Sequence, residues 1–182
     1  MEKITFRPAK PEDADTLFRL KKAAYGDEFV LFNYMEHGYK EAIDDCNADD
    51  PKEDGMFSRK WHEMFCTYLG DWSLVIEADE KIIGQIVAFH WENQPFINDY
   101  SEYDMTGNIN VIFCIYVSPE FKNKGIGEMA MEYMEKLHPA DKWILDTPKI
   151  SPKNKSFYEK CGYTQGSSGS TNVYSKGFNN TN

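Results

Sequence analysis

One segment in the middle of the chain, Ile109–Val117, restricts the possible folds more than any other. Every residue in it except Asn110 is apolar, and most are β-branched or aromatic. A strand with one face in water alternates apolar and polar side chains, so this run predicts a central strand covered on both faces. The run is too short to cross a bilayer, which takes about 20 apolar residues. The sequence therefore predicts a soluble protein with a mixed α/β sheet around this strand.

Hydrophobic periodicity predicts further elements on both sides of this strand. β-Branched and aromatic residues favour strands, and apolar residues that recur every three or four positions favour helices. The predicted strands are Ile4–Arg7, Trp72–Glu77, Ile82–His90, Trp143–Asp146, Tyr163–Thr164 and Asn172–Lys176; the predicted helices start near Pro11 and Phe57 and cover Ile126–Leu137 and Lys153–Cys161. This order predicts one domain over residues 1–178, with a frayed tail at 179–182.

The same periodicity predicts which helix faces are buried. The helix near residue 57 should bury Phe57, Trp61, Met64, Phe65 and Tyr68, and Gly70 should end it. The helix from residue 126 should bury Ile126, Met129, Ala130, Tyr133, Met134 and Leu137, with its glutamates on the other side.

The net charge of −10 makes a nucleic-acid partner unexpected, because a phosphate backbone would be repelled. The acidic excess lies before residue 119, whereas the remainder of the chain is slightly basic. The acidic stretch Glu41–Asp54 is interpreted as an exposed loop, with a site for a polyamine or a basic side chain as the alternative.

Neither the N-terminus nor the cysteines indicate export or a metal site. Met1–Lys10 lacks the apolar segment of a signal peptide. The four cysteines show neither C-x-x-C spacing nor a metal-ligand arrangement with the histidines. We therefore expect a cytoplasmic protein with reduced thiols, no metal and no membrane contact.

A glycine-containing loop connects the central strand to the helix that follows. Gly125 and Gly127 leave backbone N–H groups accessible, and the helix N-terminus adds partial positive charge, so a phosphate group could bind there. Taken alone, the two glycines fit a tight turn or close helix packing equally well. The loop matches neither the Rossmann glycine pattern nor the Walker motif, which makes a nucleotide-binding protein the weaker alternative.

With its flanking strand, the loop resembles the acetyl-coenzyme A loop of the GNAT acetyltransferases, which runs Gln/Arg-x-x-Gly-x-Gly/Ala. Lys122 takes the first position here. Asn154–Tyr163 is similar to that family's N-x-x-x-F-Y-x-x-x-G-[FY] segment, shortened by one position. Phe6–Ala9 with Glu12–Ala14 is similar to its first strand and first helix. These matches span nearly the whole chain.

The resemblance implies a mixed, mostly antiparallel twisted sheet of six to seven strands flanked by helices, of the α/β (α+β) class. The strand Ile109–Val117 would splay from its neighbour and admit acetyl-coenzyme A as co-substrate. The implied binding residues are Ile115, Tyr116 and Val117 for pantetheine, Lys122, Asn123, Lys124, Gly125, Ile126 and Gly127 for pyrophosphate, and Asn154 for the pantetheine arm.

The resemblance also implies transfer of an acetyl group by direct attack of an amine on the thioester. Tyr158 would lie beside the sulfur and protonate the departing thiolate. Some family members carry a glutamate base early in the fourth strand, but Val111 stands at that position here. Glu92 is the first substitute for the base, followed by His90, Glu102 and Asp104.

The acceptor implied is a small-molecule amine or a protein or peptide amine. The acidic excess before residue 119 favours a cationic amine. A non-catalytic acyl-coenzyme A binding or sensing module on the same fold is the alternative function. The sequence leaves the oligomeric state open, a homodimer included, and it does not restrict the acyl group to acetyl.

Overall fold

The computed structural model describes residues 2–26, 59–93, 100–148, 154–168 and 171–178. The strands in these ranges are β1 (Ile4–Pro8), β2 (Ser73–Ala78), β3 (Lys81–His90), β4 (Ile109–Val117), β5 (Lys142–Pro148), β6 (Thr164–Ser168) and β7 (Thr171–Lys176). The α-helices are α1 (Ala14–Tyr25), α2 (Arg59–Tyr68), α3 (Ile126–Leu137) and α4 (Lys155–Lys160). The acidic stretch at 41–54 and the tail at 179–182 lie outside the described residues.

The seven strands form one sheet in the order β1-β2-β3-β4-β5-β7-β6. The pairs β1/β2, β2/β3, β5/β7 and β6/β7 are antiparallel, and β4 and β5 are parallel. The predicted mixed, mostly antiparallel sheet is confirmed. The β4/β5 ladder holds only from Ile109 opposite Lys142 to Val111 opposite Ile144, and beyond those residues the two strands pair no further. The predicted splay is therefore present.

The chain divides into two compact units. The first contains Met1–Val87 and Ile115–Gly127, and the second contains Ala88–Cys114 and Glu128–Asn182. β3, β4 and α3 each run from one unit into the other.

The first unit contains β1, the β2/β3 hairpin, α1 and α2. Asp79 and Glu80 connect the hairpin with φ angles of 47° and 68°. Two successive residues with positive φ are typical of the tight turn whose twist suits a hairpin. Arg7 on β1 forms ion pairs of 2.7 Å with both Asp13 and Glu77. These two pairs join the segment before α1 to β1 and β2.

The buried face of α2 differs from the predicted one. Phe65 is buried as expected, whereas Tyr68 is 79% exposed, and His62 and Cys66 are buried beside Phe65. Phe57 and the side chain of Trp61 lie outside what the structure describes. The His62 ring contacts Phe18 of α1 edge-on at 5.6 Å. Periodicity counts tyrosine as apolar and histidine as polar, whereas the packing of α1 against α2 decides which face is covered.

The second unit contains β5, β6, β7, α4 and most of α3. Ile126, Ala130, Met131 and Met134 form the buried face of α3, whereas Met129, Tyr133 and Leu137 are 44%, 40% and 39% exposed. The predicted apolar stripe was therefore wider than the surface that the fold covers, and it missed Met131.

Candidate functional site

The loop between β4 and α3 adopts the conformation that its glycines suggest. Asn123 and Gly125 have φ angles of 62° and 76°, in the left-handed region that asparagine and glycine adopt most readily. A Cβ atom added to Gly125 would meet nothing within 4 Å. The backbone conformation, and not crowding, therefore favours glycine here, and the space beside Gly125 is open.

The loop presents backbone donors that the described part of the protein does not use. Within that part, the N–H groups of Asn123, Lys124 and Gly125 donate to no backbone carbonyl. The first N–H groups of α3, from Ile126 onward, also lack acceptors within the helix. These adjacent donors at the positive end of a helix can bind an anion such as a phosphate group.

The two loop lysines interact with neighbours in the first unit. The Nζ atom of Lys122 donates a 3.0 Å hydrogen bond to the carbonyl of Ala24 at the end of α1. The Nζ atom of Lys124 lies 3.4 Å from a Glu2 carboxylate oxygen and 4.6 Å from the centre of the Phe121 ring. Both lysine side chains thus have partners within the first unit, whereas the backbone N–H groups of residues 123–125 donate to no backbone carbonyl of the described residues.

A pocket of about 510 Å³ lies in the first unit beside the start of this loop. One wall is the face of α1, and the other is the turn after β4. The lining residues are Thr16, Arg19, Leu20, Ala23, Ser118, Pro119 and Glu120.

A buried polar network fixes the end of β4 against α1. The Tyr116 hydroxyl lies 3.0 Å from the carbonyl oxygen of Leu17 and 2.7 Å from Oε1 of Gln85. Gln85 in turn donates to Ser73 Oγ at 2.9 Å. Ile115 and Val117 are half-buried and, by strand alternation, point to the opposite face from Tyr116.

Tyr158 of α4 is buried in an aromatic cluster of the second unit. Its ring lies 4.8 Å from Tyr174 and 4.9 Å from Phe157, measured between centroids. Burial raises the pKa of Tyr158, so the hydroxyl is protonated at neutral pH. It donates to none of the residues that the structure describes. A neutral phenol of this kind is a proton or hydrogen-bond donor.

The other predicted site residues of the second unit are Asn154 and Glu92. Asn154 directly precedes α4, is half-buried, and makes no side-chain capping hydrogen bond. Glu92 is exposed in the short 3-10 turn Trp91–Asn93 after β3. Hydrogen bonds from Lys142 and Thr106 lower the pKa of Asp104 to about 2, which makes this carboxylate a weak base.

Sequence reasoning missed Asp146 on β5. Its Oδ1 atom accepts a 3.1 Å hydrogen bond from the Tyr100 hydroxyl. Burial raises the pKa of Asp146 above its ordinary range, although this hydrogen bond favours the charged form. The signal in the sequence was a carboxylate at the end of the predicted short strand Trp143–Asp146.

No group of three or more histidine, cysteine, aspartate or glutamate side chains is arranged to bind a metal ion in the ranges described. None of the described helices combines the length and apolar character needed to cross a membrane.

Comparisons with known proteins agree with this arrangement. The sequence model of the Acetyltransferase (GNAT) domain matches residues 70–165. Among solved structures, the PaiA N-acetyltransferase from Thermoplasma acidophilum, in complex with coenzyme A, is 18% identical with a TM-score of 0.64, over 96% of this chain and 98% of its own.

Two further structures share the fold. The acetyltransferase from Thermus thermophilus is 14% identical with a TM-score of 0.61, over 97% of this chain and 99% of its own. The diaminobutyrate acetyltransferase EctA from Paenibacillus lautus was solved in complex with L-2,4-diaminobutyric acid and coenzyme A. It is 11% identical with a TM-score of 0.59, over 96% of this chain and 95% of its own. A search of curated protein sequences found no match. The family match extends over more than half of the chain, and the protein therefore belongs to the GNAT acetyltransferase family.

Proposed function

We propose that the protein is an N-acetyltransferase that uses acetyl-coenzyme A to acetylate a primary amine. Family membership supports acyl transfer in general. The observation that carries the proposal is the cluster of unused backbone donors from Asn123 to Gly125 at the start of α3. An anionic co-substrate that carries phosphate groups matches such a cluster.

The residues present fit this co-substrate, which supplies an acetyl group already activated as a thioester. The N–H groups of residues 122–127 would bind its pyrophosphate. Ile115, Tyr116 and Val117 would pair with pantetheine through their backbone, because the Tyr116 side chain is engaged with α1. The Asn154 side chain makes no capping hydrogen bond, so it is available to the pantetheine arm.

Tyr158 supplies the proton donor in this proposal. Its raised pKa keeps the hydroxyl protonated until a strong hydrogen-bond acceptor, such as a departing thiolate, comes within reach. Glu92 remains the base candidate that the sequence suggests, and a proton acceptor is required because an alkyl amine titrates near pH ~10. Direct transfer needs no covalent enzyme intermediate.

The acceptor proposed is a cationic amine, either a small molecule or a peptide amine. The acidic excess before residue 119 supports a cation. The EctA relative has a diamino acid as its substrate, which supports a small molecule. A panel of polyamines, amino acids, neutral amines and peptides, incubated with acetyl-coenzyme A and assayed for free thiol, tests the proposal. Failure of every amine to release thiol would leave only the non-catalytic alternative.

The co-substrate site has a separate test in the substitution Gly125→Val. Binding at 100 times Kd should stabilise the wild type by about 2.7 kcal/mol and raise its Tm. Valine at φ 76° would be strained and would place a branched side chain among the donors, so the shift should disappear. Thermal unfolding of both proteins with and without coenzyme A measures this shift in Tm.

The matched control is Gly107→Val, because Gly107 also has a positive φ, 95°, with nothing within 4 Å of an added Cβ. This variant should lose comparable stability yet retain the full shift. An undiminished shift in folded Gly125→Val would disprove the assignment of the loop.

A further inference from the structure

Asp146 lies where β5 has separated from β4. The last β5 residue paired with β4 is Ile144, opposite Val111. Asp146 follows two positions later and so points to the same face as Ile144. On that face Ile144 belongs to a buried apolar cluster with Tyr100, Ile109, Val111 and Val173. The carboxylate is therefore at the splayed end of the strand pair, next to apolar side chains.

Tyr100 holds the carboxylate in one position. Its hydroxyl donates to Oδ1 of Asp146 at 3.1 Å, across 46 residues of sequence. The Tyr100 ring is itself packed, with centroids of Trp91 at 5.6 Å and Tyr103 at 6.4 Å. A carboxylate fixed by a buried hydroxyl loses less entropy when it accepts a proton than a mobile surface side chain would.

Tyr158 lies on the opposite face of β5. It packs against Tyr174, whose ladder partner is Leu145, the residue before Asp146. Successive side chains of a strand point to opposite faces, so the carboxylate and the phenol flank the same strand. Burial is the main cause of the raised pKa of Tyr158, and the Asp146 charge adds to it.

Acyl transfer needs both kinds of group, on different sides of the reacting carbonyl. The amine nitrogen must lose a proton as it attacks, and the sulfur must gain one as it departs. We propose that Asp146 is the catalytic residue that accepts the proton of the acceptor amine, with Tyr100 as its positioning residue. This inference rests on the proposed function.

The proton balance is as follows. Asp146 takes one proton from the ammonium ion, and the nitrogen lone pair forms a C–N bond to the thioester carbonyl carbon. Collapse of the tetrahedral intermediate breaks the C–S bond. Tyr158 gives its proton to the departing thiolate, and the second proton of the nitrogen then replaces the one that Tyr158 lost. Asp146 returns its proton to solvent. The products are therefore an amide, a thiol and one proton. A half-buried carboxylate also attracts the cationic form of the acceptor before it takes its proton.

The structure favours Asp146 over the carboxylates that the sequence suggested. Glu92 is exposed, so water competes for its interactions with an ammonium ion. Asp104 is engaged by Lys142 at 2.8 Å. The Tyr100 hydroxyl donates to Asp146, and burial keeps Tyr158, which flanks the other face of β5, a protonated phenol. Asp146 is therefore the proton acceptor and Tyr158 the proton donor of this proposal.

The pH profile of Asp146→Asn tests the inference. Above the pKa of Asp146, wild-type kcat/KM should be level, because the enzyme takes the proton from the abundant ammonium form. The variant depends on free amine, which increases tenfold per pH unit up to about pH 10. We expect a deficit of about 10²-fold or more near pH 7 that shrinks as the pH rises. A structural role would lower activity by the same factor at every pH.

Folding is checked separately. Asp146→Asn removes a desolvated charge and keeps the shape, so its Tm at neutral pH should not fall. Tyr100→Phe removes a hydrogen bond to the charged carboxylate, which should raise the pKa of Asp146 and move the acidic limb of the wild-type profile to higher pH. Glu132→Gln, at an exposed position of α3, is the matched control for loss of one negative charge and should keep the wild-type profile.

The outcomes separate the two proposals. A wild type that binds coenzyme A but releases no thiol with any amine would overturn the proposed function. An active wild type whose profile runs parallel to that of Asp146→Asn would overturn the assignment of Asp146 alone. If Glu92→Gln showed the pH-dependent deficit instead, the base would be Glu92.

Discussion

At the scale of single residues, two neighbouring tyrosines of the second unit use their hydroxyl groups differently. Tyr163 donates a 2.9 Å hydrogen bond to Glu135, which also accepts one of 2.6 Å from Lys176. The Tyr158 hydroxyl donates to none of the described residues, although its ring is 6.3 Å from that of Tyr163. The Tyr163 hydroxyl therefore supports the fold, whereas the Tyr158 hydroxyl is the proposed proton donor.

This difference gives a matched pair of variants. Tyr158→Phe should keep the folded stability and lower kcat by about 10²-fold, the lower end of general acid catalysis, because the raised pKa limits full proton transfer. Tyr163→Phe should keep kcat and lower the free energy of unfolding by about 1 kcal/mol. Saturating kinetics and urea unfolding of both variants measure the two effects. Unchanged kcat in a stable Tyr158→Phe protein would remove Tyr158 from the mechanism.

The thiol groups of two cysteines are unsuited to nucleophilic attack. Burial raises the pKa of Cys66 to about 12 and that of Cys161 to about 11. The thiolate is the nucleophile, so these side chains are inert near pH 7. Protonated thiols at these two positions agree with direct transfer of the acetyl group from the thioester to the amine.

At the scale of elements, the end of β4 is fixed by close packing as well as by hydrogen bonds. A Cβ atom added to Gly84 of β3 would lie 2.3 Å from the backbone oxygen of Tyr116. The amide of Ser118 donates to the carbonyl of Ile83 at 2.7 Å. β3 thus sets the position of the strand end from which the loop starts.

Tyr116→Phe tests how much the side chain of β4 contributes to holding α1. The variant loses the hydroxyl contacts with Leu17 and Gln85 and leaves Oε1 of Gln85 without this donor, so it should lower the free energy of unfolding by about 1–3 kcal/mol. Tyr68→Phe, at an exposed position of α2, is the control and should change stability little. Equal urea midpoints for the two variants would argue against the network.

At the scale of the whole molecule, the excess of negative charge predicts how the reaction responds to salt. The screening length falls from about 10 Å at 0.1 M ionic strength to about 3 Å at 1 M. KM for a cationic amine should therefore increase with salt, whereas KM for a neutral amine should stay level. Initial rates with one amine of each kind, across a salt series, measure this. An equal increase for both amines would show that charge attraction does not act on the acceptor.

The sequence by itself determined the features that depend on neighbouring residues. The apolar run at 109–117, the turn at Asp79 and Glu80, and the positive φ of Gly125 and Gly162 all follow from local side-chain and backbone preferences. The order of these elements predicted a mixed α/β sheet, and the resemblance to the GNAT family implied the splayed pair. The two motifs at 122–127 and 154–163 resemble a family whose sequence model matches the chain.

Only the tertiary structure decided which side chains are buried and what environment surrounds the charged ones. The exposure of Tyr68 and Met129 depends on where neighbouring elements stop covering each helix. Asp146 acquires its raised pKa from burial and its orientation from Tyr100, 46 residues away, and Tyr116 meets Leu17 across 99 residues. Hydrophobic periodicity reports contacts within a few turns of chain. Desolvation and hydrogen bonding between distant segments exist only after the chain has folded, so a pKa is a property of the tertiary structure.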